Sequence, residues 1–400
     1  MMKKKILFSL YDMEVGGVER SFISMTQKLD YKHYQADLIL CRQQGEFLDM
    51  LPVELNLLDE IAAYTTFRKS IRQVFKEKHY MIGLSRLLSK ANAYWVASIK
   101  KMLEPGYYQM QLMWKYALPF LPKLEKEYDV AISYLWPHYL IADKVQAKKK
   151  IAWIHTDYSN VETNISADLK MWNKFDHIIA VCEACKASFL KKYSELDHKV
   201  MVLENITSPE WIRSMVNEGE EDNPMLTDRR FKLVTVARLS HAKGIDQAIR
   251  ALCLLKDRGY GHIAWYVVGY GGDEAMLRSL IAKHDLQESF ILLGKKTNPY
   301  PYIQACDVYV QPSRYEGKAV TVTEAQIIGK PILITNYSTA SSQVIDGLDG
   351  IICDLSIAGI ASGIERLYRD NKLRNTLMSN IKGKDYSNGY ELDKLYQIIV

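Results

Sequence analysis

The chain has 400 residues, 48% hydrophobic and 25% charged, with 52 Lys+Arg against 47 Asp+Glu for a formal net charge of +5. Its apolar share, with 21 Gly and 11 Pro, excludes disordered, collagen-like and low-complexity chains, and the length is that of two domains. Six Cys are too few for a disulfide framework, the apolar run behind Lys3-Lys4-Lys5 is too short for a signal peptide, and no run reaches the ~18 apolar residues of a spanning helix, so a cytosolic chain is expected.

In chain order, residues 6–10 read as a buried strand, followed by Gly16-Gly17 and a helical pattern over 18–29. A second strand is expected at 36–41. After a basic stretch come strands at 129–134, 150–154, 177–182 and 199–203, each followed by a helix-compatible segment. Near-continuous Val/Ile/Ala-rich strands alternating with helices imply a parallel sheet covered on both faces. The acidic segment 217–224 has no apolar periodicity and reads as an exposed linker. Alternation then resumes, with strands at 232–237, 264–268, 290–293, 308–311 and 331–335 and helices at 244–258 and 274–284. The expected fold is α/β: two Rossmann-like βα domains, 1–205 and 206–384, facing across a cleft. Tyr390, Leu392, Leu395, Tyr396 and Ile399 have helical spacing, so 385–400 should form a terminal helix docked on one domain.

The charge is uneven. Residues 1–205 hold 29 basic and 24 acidic side chains, whereas 206–400 hold 23 of each. The window 61–124 alone has 11 basic residues against two acidic, Glu77 and Glu104. Apolar residues at 67, 71, 74, 75 and at 84, 87, 88, 91, 94, 95 have helical spacing with Lys and Arg between them. Such helices either pack into a core with a solvated basic face or lie on an anionic membrane, where each Lys or Arg adds about 1 kcal/mol. With the charge confined to one half, the membrane is favoured; no nucleic-acid recognition motif accompanies it.

Residues 311–325 leave a strand, turn, and enter a helix, with Glu316 in the turn and Glu324 inside the helix. The amides of Gly317, Lys318, Ala319 and Val320 would be open at that helix start, a ready anion site. A carboxylate beside it can accept sugar hydroxyls, and the second can reach a ribose; helix capping and an ordinary amphipathic charge explain the pair equally well on spacing alone. Arg238 and Lys243 flank a loop at a strand end, where a fork and a point charge can together neutralise a diphosphate. Gly269-x-Gly271 lacks the third Gly of a dinucleotide fingerprint. Cys182-x-x-Cys185 has no second pair, which disfavours metal or redox work.

Arg238…Lys243, the Val268-Gly269-Tyr270-Gly271 strand end, and Pro312-Ser313…Glu316-x7-Glu324 followed by Gly329-Lys330-Pro331 resemble the signature of family 4 glycosyltransferases. The resemblance spans most of 230–355; in the first half it rests on Gly16-Gly17-Val18-Glu19-Arg20 and on His155. It implies the GT-B fold and transfer of a sugar from a nucleotide diphosphate, UDP favoured, with retention of configuration. It makes Arg238 and Lys243 the diphosphate ligands, Glu316 the holder of the sugar and Glu324 of the ribose, with Gly269 and the 317–320 amides at the donor. Gly16 and Gly17 would let first-domain backbone approach the donor phosphates or acceptor, and His155 would sit near the reacting sugar. No metal or other obligatory cofactor is expected. The implied acceptor is a lipid-linked saccharide or oligosaccharide at the inner face of the cell membrane, in surface polysaccharide synthesis. Lys318 departs from the family, where an apolar or aromatic residue is usual, and Asn205 is a weak hinge candidate. Two alternatives remain: an inactive GT-B subunit that positions a partner, and a nucleotide-sugar epimerase, whose first-domain acid and base carboxylates have no candidates here.

Overall fold

The computed structural model of the chain describes residues 3–101, 106–218 and 223–399. The first two methionines, residues 102–105 of the basic window, 219–222 of the acidic segment and Val400 lie outside them.

The described residues form two compact units, one of 1–14, 22–204 and 390–400, the other of 15–21 and 205–389. The first unit holds β1 (Lys4–Leu10), β2 (Tyr34–Leu40), β3 (Asn56–Leu57), β4 (Glu127–Ser133), β5 (Gln146–Ile154), β6 (His177–Ala180) and β7 (Val200–Val202). They pair in the order β3-β2-β1-β4-β5-β6-β7, with every pairing parallel. The second holds β8 (Phe231–Val236), β9 (Ile263–Val268), β10 (Phe290–Gly294), β11 (Val308–Gln311), β12 (Ile332–Thr335) and β13 (Ile351–Cys353), in the order β10-β9-β8-β11-β12-β13, also parallel. The two Rossmann-like sheets are therefore present as expected.

Alternate side chains of the second sheet feed two cores. Leu233, Trp265, Val267, Val310 and Leu333 point to one face, Val234, Ala264, Tyr266, Tyr309 and Ile332 to the other. This is the two-residue period of a strand buried on both sides. Both sheets reverse strand order, the first between β1 and β4 and the second between β8 and β11. Loops leaving strand carboxyl ends diverge at such a point and leave a ligand-sized crevice.

Three local features sharpen the expected picture. The acidic 217–224 segment falls inside the second unit, where Met225 is fully buried and Asn223 caps the turn Pro224–Leu226; the boundary lies between Glu204 and Asn205. The terminal helix Glu391–Ile399 docks on the first unit. There Tyr396 stacks on Tyr34 at 5.3 Å and Glu391 accepts a hydrogen bond from the Glu204 amide at 2.9 Å. The third is the helix Tyr80–Lys100, whose periodic apolar residues face outward. Its buried side is Ile82, Ser85, Ser89 and Ala93, with Ala93 laid against Tyr108 and Leu112 of the helix Gly106–Ala117 and Ser85 donating to the Tyr116 carbonyl at 3.1 Å. Neither strand β3 nor β13 was legible in the sequence.

Candidate active site

At the switch point of the second sheet, the loop after β8 and the loop after β11 are fastened together. The Arg314 amide donates to the Ala242 carbonyl at 2.8 Å, and its guanidinium grips Asp246 at 2.8 and 2.7 Å and the His241 carbonyl at 2.7 Å. Gly244 adopts φ +64°, and a Cβ there would stand 2.1 Å from the Pro312 carbonyl oxygen. Only glycine tolerates both that conformation and that approach. The result places Lys243 beside Glu316.

Lys243 Nζ donates to both Glu316 oxygens, at 2.7 and 2.6 Å. Oε1 also accepts from Ser313 Oγ at 2.6 Å and Gln311 Nε2 at 3.1 Å, and Gln311 is held in turn by the Tyr309 hydroxyl at 2.7 Å. Gln311, Ser313 and Glu316 are buried. The carboxylate is thus fixed in orientation by charge-assisted bonds, while among the described residues Oε2 has Lys243 as its partner. Arg238, at the head of the same loop, is exposed and has no side-chain hydrogen bond or ion pair with a described residue.

Gly269 stands at φ +155°, where a Cβ would lie 1.8 Å from the Ala237 carbonyl oxygen; at Gly271 the clash would be with Leu239 at 2.2 Å. These glycines let the end of β9 lie against the Arg238 loop. At the start of the helix Val320–Ile328, the expectation of open amides is corrected at Ala319. Its N–H donates to Gln343 Oε1 at 2.9 Å, and Gln343 donates back to the Ala319 carbonyl at 2.8 Å. Lys318 is half-buried.

Glu324 lies on that helix, 1% exposed. Arg20 Nη1 donates to both of its oxygens at 3.0 and 2.8 Å, and the Tyr300 hydroxyl to Oε1 at 3.0 Å. Burial pulls the Arg20 guanidinium down, but Glu324 and then Tyr300 outweigh it and hold it above its ordinary range. Burial, reinforced by Glu324, pushes the Tyr300 phenol well up. Tyr300 did not stand out in the sequence, and Arg20 did so only as the last residue of the Gly16-Gly17-Val18-Glu19-Arg20 run, with no role attached. The segment carrying Gly16, Gly17 and Arg20 belongs to the second unit, and a Cβ on Gly17 would touch Val320 at 3.7 Å. The glycine pair thus lies at the same helix start as Gly317 and Lys318, and is not backbone of the first unit. Asn205 accepts a hydrogen bond from Ser21 at 2.9 Å.

His155 follows β5 in the first unit. Its ring lies 4.8 Å from Tyr134, and burial pushes its pKa down to about 3 against a smaller upward pull from the Tyr134 backbone. His138, bonded to Ser133 Oγ at 2.8 Å, is likewise pushed down to about 3 by burial and then by His155. Both imidazoles are therefore neutral near pH 7. Cys182 caps the helix Glu183–Leu190 through the Cys185 amide at 3.4 Å, a structural use for that pair. A 350 Å³ pocket lies at the other, C-terminal end of the Val320–Ile328 helix and holds none of the candidate residues.

Residues 218–384, most of the second unit, match the family described as Glycosyl transferases group 1. This segment is a glycosyl transferases group 1 domain. The whole cluster from Arg238 to Glu324, except for Arg20 and the glycine pair, lies inside the group 1 domain. Among curated relatives, the Staphylococcus aureus capsular polysaccharide biosynthesis glycosyltransferase CapM is 26% identical over 218 residues, 51% of this chain and 55% of that protein. A Campylobacter jejuni N,N'-diacetylbacillosaminyl-diphospho-undecaprenol alpha-1,3-N-acetylgalactosaminyltransferase is 25% identical over 54% of this chain and 57% of its own. The chain thus spans little more than half the length of these relatives. Anabaena HepE in complex with UDP and glucose shares the fold at TM-score 0.69 and 16% identity, over 99% of both chains. The group 1 domain and its partner unit together therefore have the fold of GT-B enzymes.

Proposed function

We propose that the chain is a retaining glycosyltransferase that moves a sugar from a nucleotide diphosphate, UDP favoured, to a lipid-linked saccharide or oligosaccharide in surface polysaccharide biosynthesis. The observation that carries this reading is the Lys243–Glu316 pair, fixed after the strands at the switch point of the second sheet, with exposed Arg238 at the head of the Lys243 loop. As the bond from the anomeric carbon to the diphosphate breaks, negative charge grows on the leaving oxygen. Arg238 and Lys243 neutralise it, the kind of preorganised electrostatic aid that dominates such reactions. Glu316 accepts hydroxyl hydrogen bonds from the transferred sugar through Oε2, and Glu324 with Arg20 shapes the ribose site. Gly16, Gly17, Gly269 and the backbone of 317–320 give close approach to the phosphates, with Lys318 as a further contact. His155 offers a neutral imidazole to the sugar.

UDP bound in HepE and the undecaprenol-linked acceptor named for the Campylobacter relative support the choice of donor and acceptor class. The basic window supports peripheral attachment at the cytoplasmic face of the membrane. The test is release of nucleoside diphosphate from a panel of UDP-, GDP- and ADP-sugars by wild type, Glu316→Ala and Lys243→Ala. Wild-type turnover that falls about 100- to 1000-fold in each variant is expected. No turnover with any donor, or variants as active as wild type, sinks the assignment.

A further inference from the structure

The basic window was singled out by its charge, yet several of its cations are occupied inside the first unit. Arg68 pairs with Asp12 and lies 3.9 Å over the Tyr11 ring, Lys69 bridges Glu77 at 2.8 Å, and Arg86 donates to the Lys69 carbonyl at 2.6 Å. What the window presents instead is the outer face of the helix Tyr80–Lys100. Leu84, Leu87, Leu88, Tyr94, Trp95 and Ile99 are 45–78% exposed there, on one stripe of the 3.6-residue period. The side that packs inward is Ile82, Ser85, Ser89 and Ala93, so folding of this unit does not bury the stripe.

We propose that this stripe inserts into the interfacial layer of an anionic lipid bilayer, with the helix lying in the membrane plane. No helix among the described residues is long and apolar enough to cross a membrane, so the stripe can only lie along one. From Lys78 to Leu103 the sequence has no acidic residue. Exposed Lys90 and Lys101 flank the stripe, and exposed Arg72 and Lys76 precede it; this is the complement of anionic headgroups. Trp and Tyr at its far end suit the zone where an apolar ring meets polar headgroups. A second copy of the chain fits less well, because a two-fold contact centred on the stripe would set Lys90 against Lys90.

The inference deepens the peripheral attachment proposed above and rests on it, but the two fail separately. Flotation with vesicles containing phosphatidylglycerol is compared for wild type, a Leu87→Ser/Leu88→Ser/Trp95→Ser variant and an Arg72→Gln/Lys76→Gln variant. The stripe variant keeps all charges and should lose about tenfold or more in partitioning, whereas the charge variant should lose binding mainly at low salt. Nucleotide release and far-ultraviolet circular dichroism confirm that each variant is folded. In wild type, acyl-chain-brominated lipids should quench tryptophan emission, and Trp95→Phe should abolish most of that quenching. If the stripe variant floats like wild type, the inference is overturned and attachment uses another surface. A wild type that dimerises through the stripe without floating assigns the face to a second copy and also overturns it. Wild type that neither floats nor dimerises removes the peripheral reading as well.

Discussion

Replacing Glu324 by Gln keeps the side-chain volume but removes the negative charge that pairs with the Arg20 guanidinium, which is 4% exposed. The lost attraction is set by contacts of 3.0 and 2.8 Å in a dry setting. At an effective dielectric constant near 20 and a charge separation of about 4 Å, it amounts to about 4 kcal/mol. Truncating one partner of a buried pair costs about 3–5 kcal/mol for the same reason. Removing both charges, as in Arg20→Met/Glu324→Leu, should restore most of that, since an apolar pair of similar volume leaves no stranded charge. The assay is amide exchange in peptides covering Gly17–Gln27 and Val320–Ile328, read as local opening free energy beside urea unfolding. UDP titration of the same proteins separates the ribose role: the double variant should be stable yet bind nucleotide weakly. Single variants within about 1 kcal/mol of wild type, or a double variant whose loss is the sum of the two, would refute the ion-pair account.

Other outcomes follow from the same geometry. Arg238→Ala should leave stability within about 0.5 kcal/mol of wild type, because the side chain is exposed and has no ion pair among the described residues, while turnover of nucleotide sugar collapses. Gly244→Ala should cost about 1–3 kcal/mol from its positive φ and also reduce turnover, as the Lys243 loop is pushed off the Pro312 carbonyl; urea unfolding and nucleotide release read the two effects. His138 and His155 bind a proton in the unfolded chain below pH 6.5 but only near pH 3 when folded. Their contribution is therefore complete above pH 6.5 and is lost as pH falls toward 3. Unfolding at pH 5 should show the first unit weakened by about 2 kcal/mol per histidine relative to pH 7, and His138→Gln should flatten that slope. Nucleotide release should persist in EDTA if Arg238 and Lys243 neutralise the diphosphate; loss on chelation, restored by magnesium, would contradict that division of labour.

The long central strands were legible because a parallel strand buried on both faces must be apolar throughout, as Ile263–Val268 is. Strands β3 and β13 were not, since two or three residues carry no period. Glu316, Lys243 and Arg238 could be read from their places after strand ends. Arg20 could not be joined to Glu324, because the two lie 304 residues apart and an acidic residue in an amphipathic helix looks like any solvated charge. In the Tyr80–Lys100 helix, the period told which residues share a face but not which way the face turns. Ser85, Ser89 and Ala93 pack inward because small side chains let the Gly106–Ala117 helix come close.

The chain crosses between its units more than once: residues 15–21 belong with the second, and residues 390–399 with the first. A fragment cut after Glu204 would lack the helix that stacks Tyr396 on Tyr34, and one begun at Asn205 would strand Glu324 without Arg20. The interlacing also orders events at the ribosome. Once Glu204 has been added, the first unit waits for the helix starting at Glu391, an interval of roughly 10 to 40 s at ordinary elongation rates. Over that interval Tyr34 and the Glu204 amide stay uncovered while the second unit is still being made.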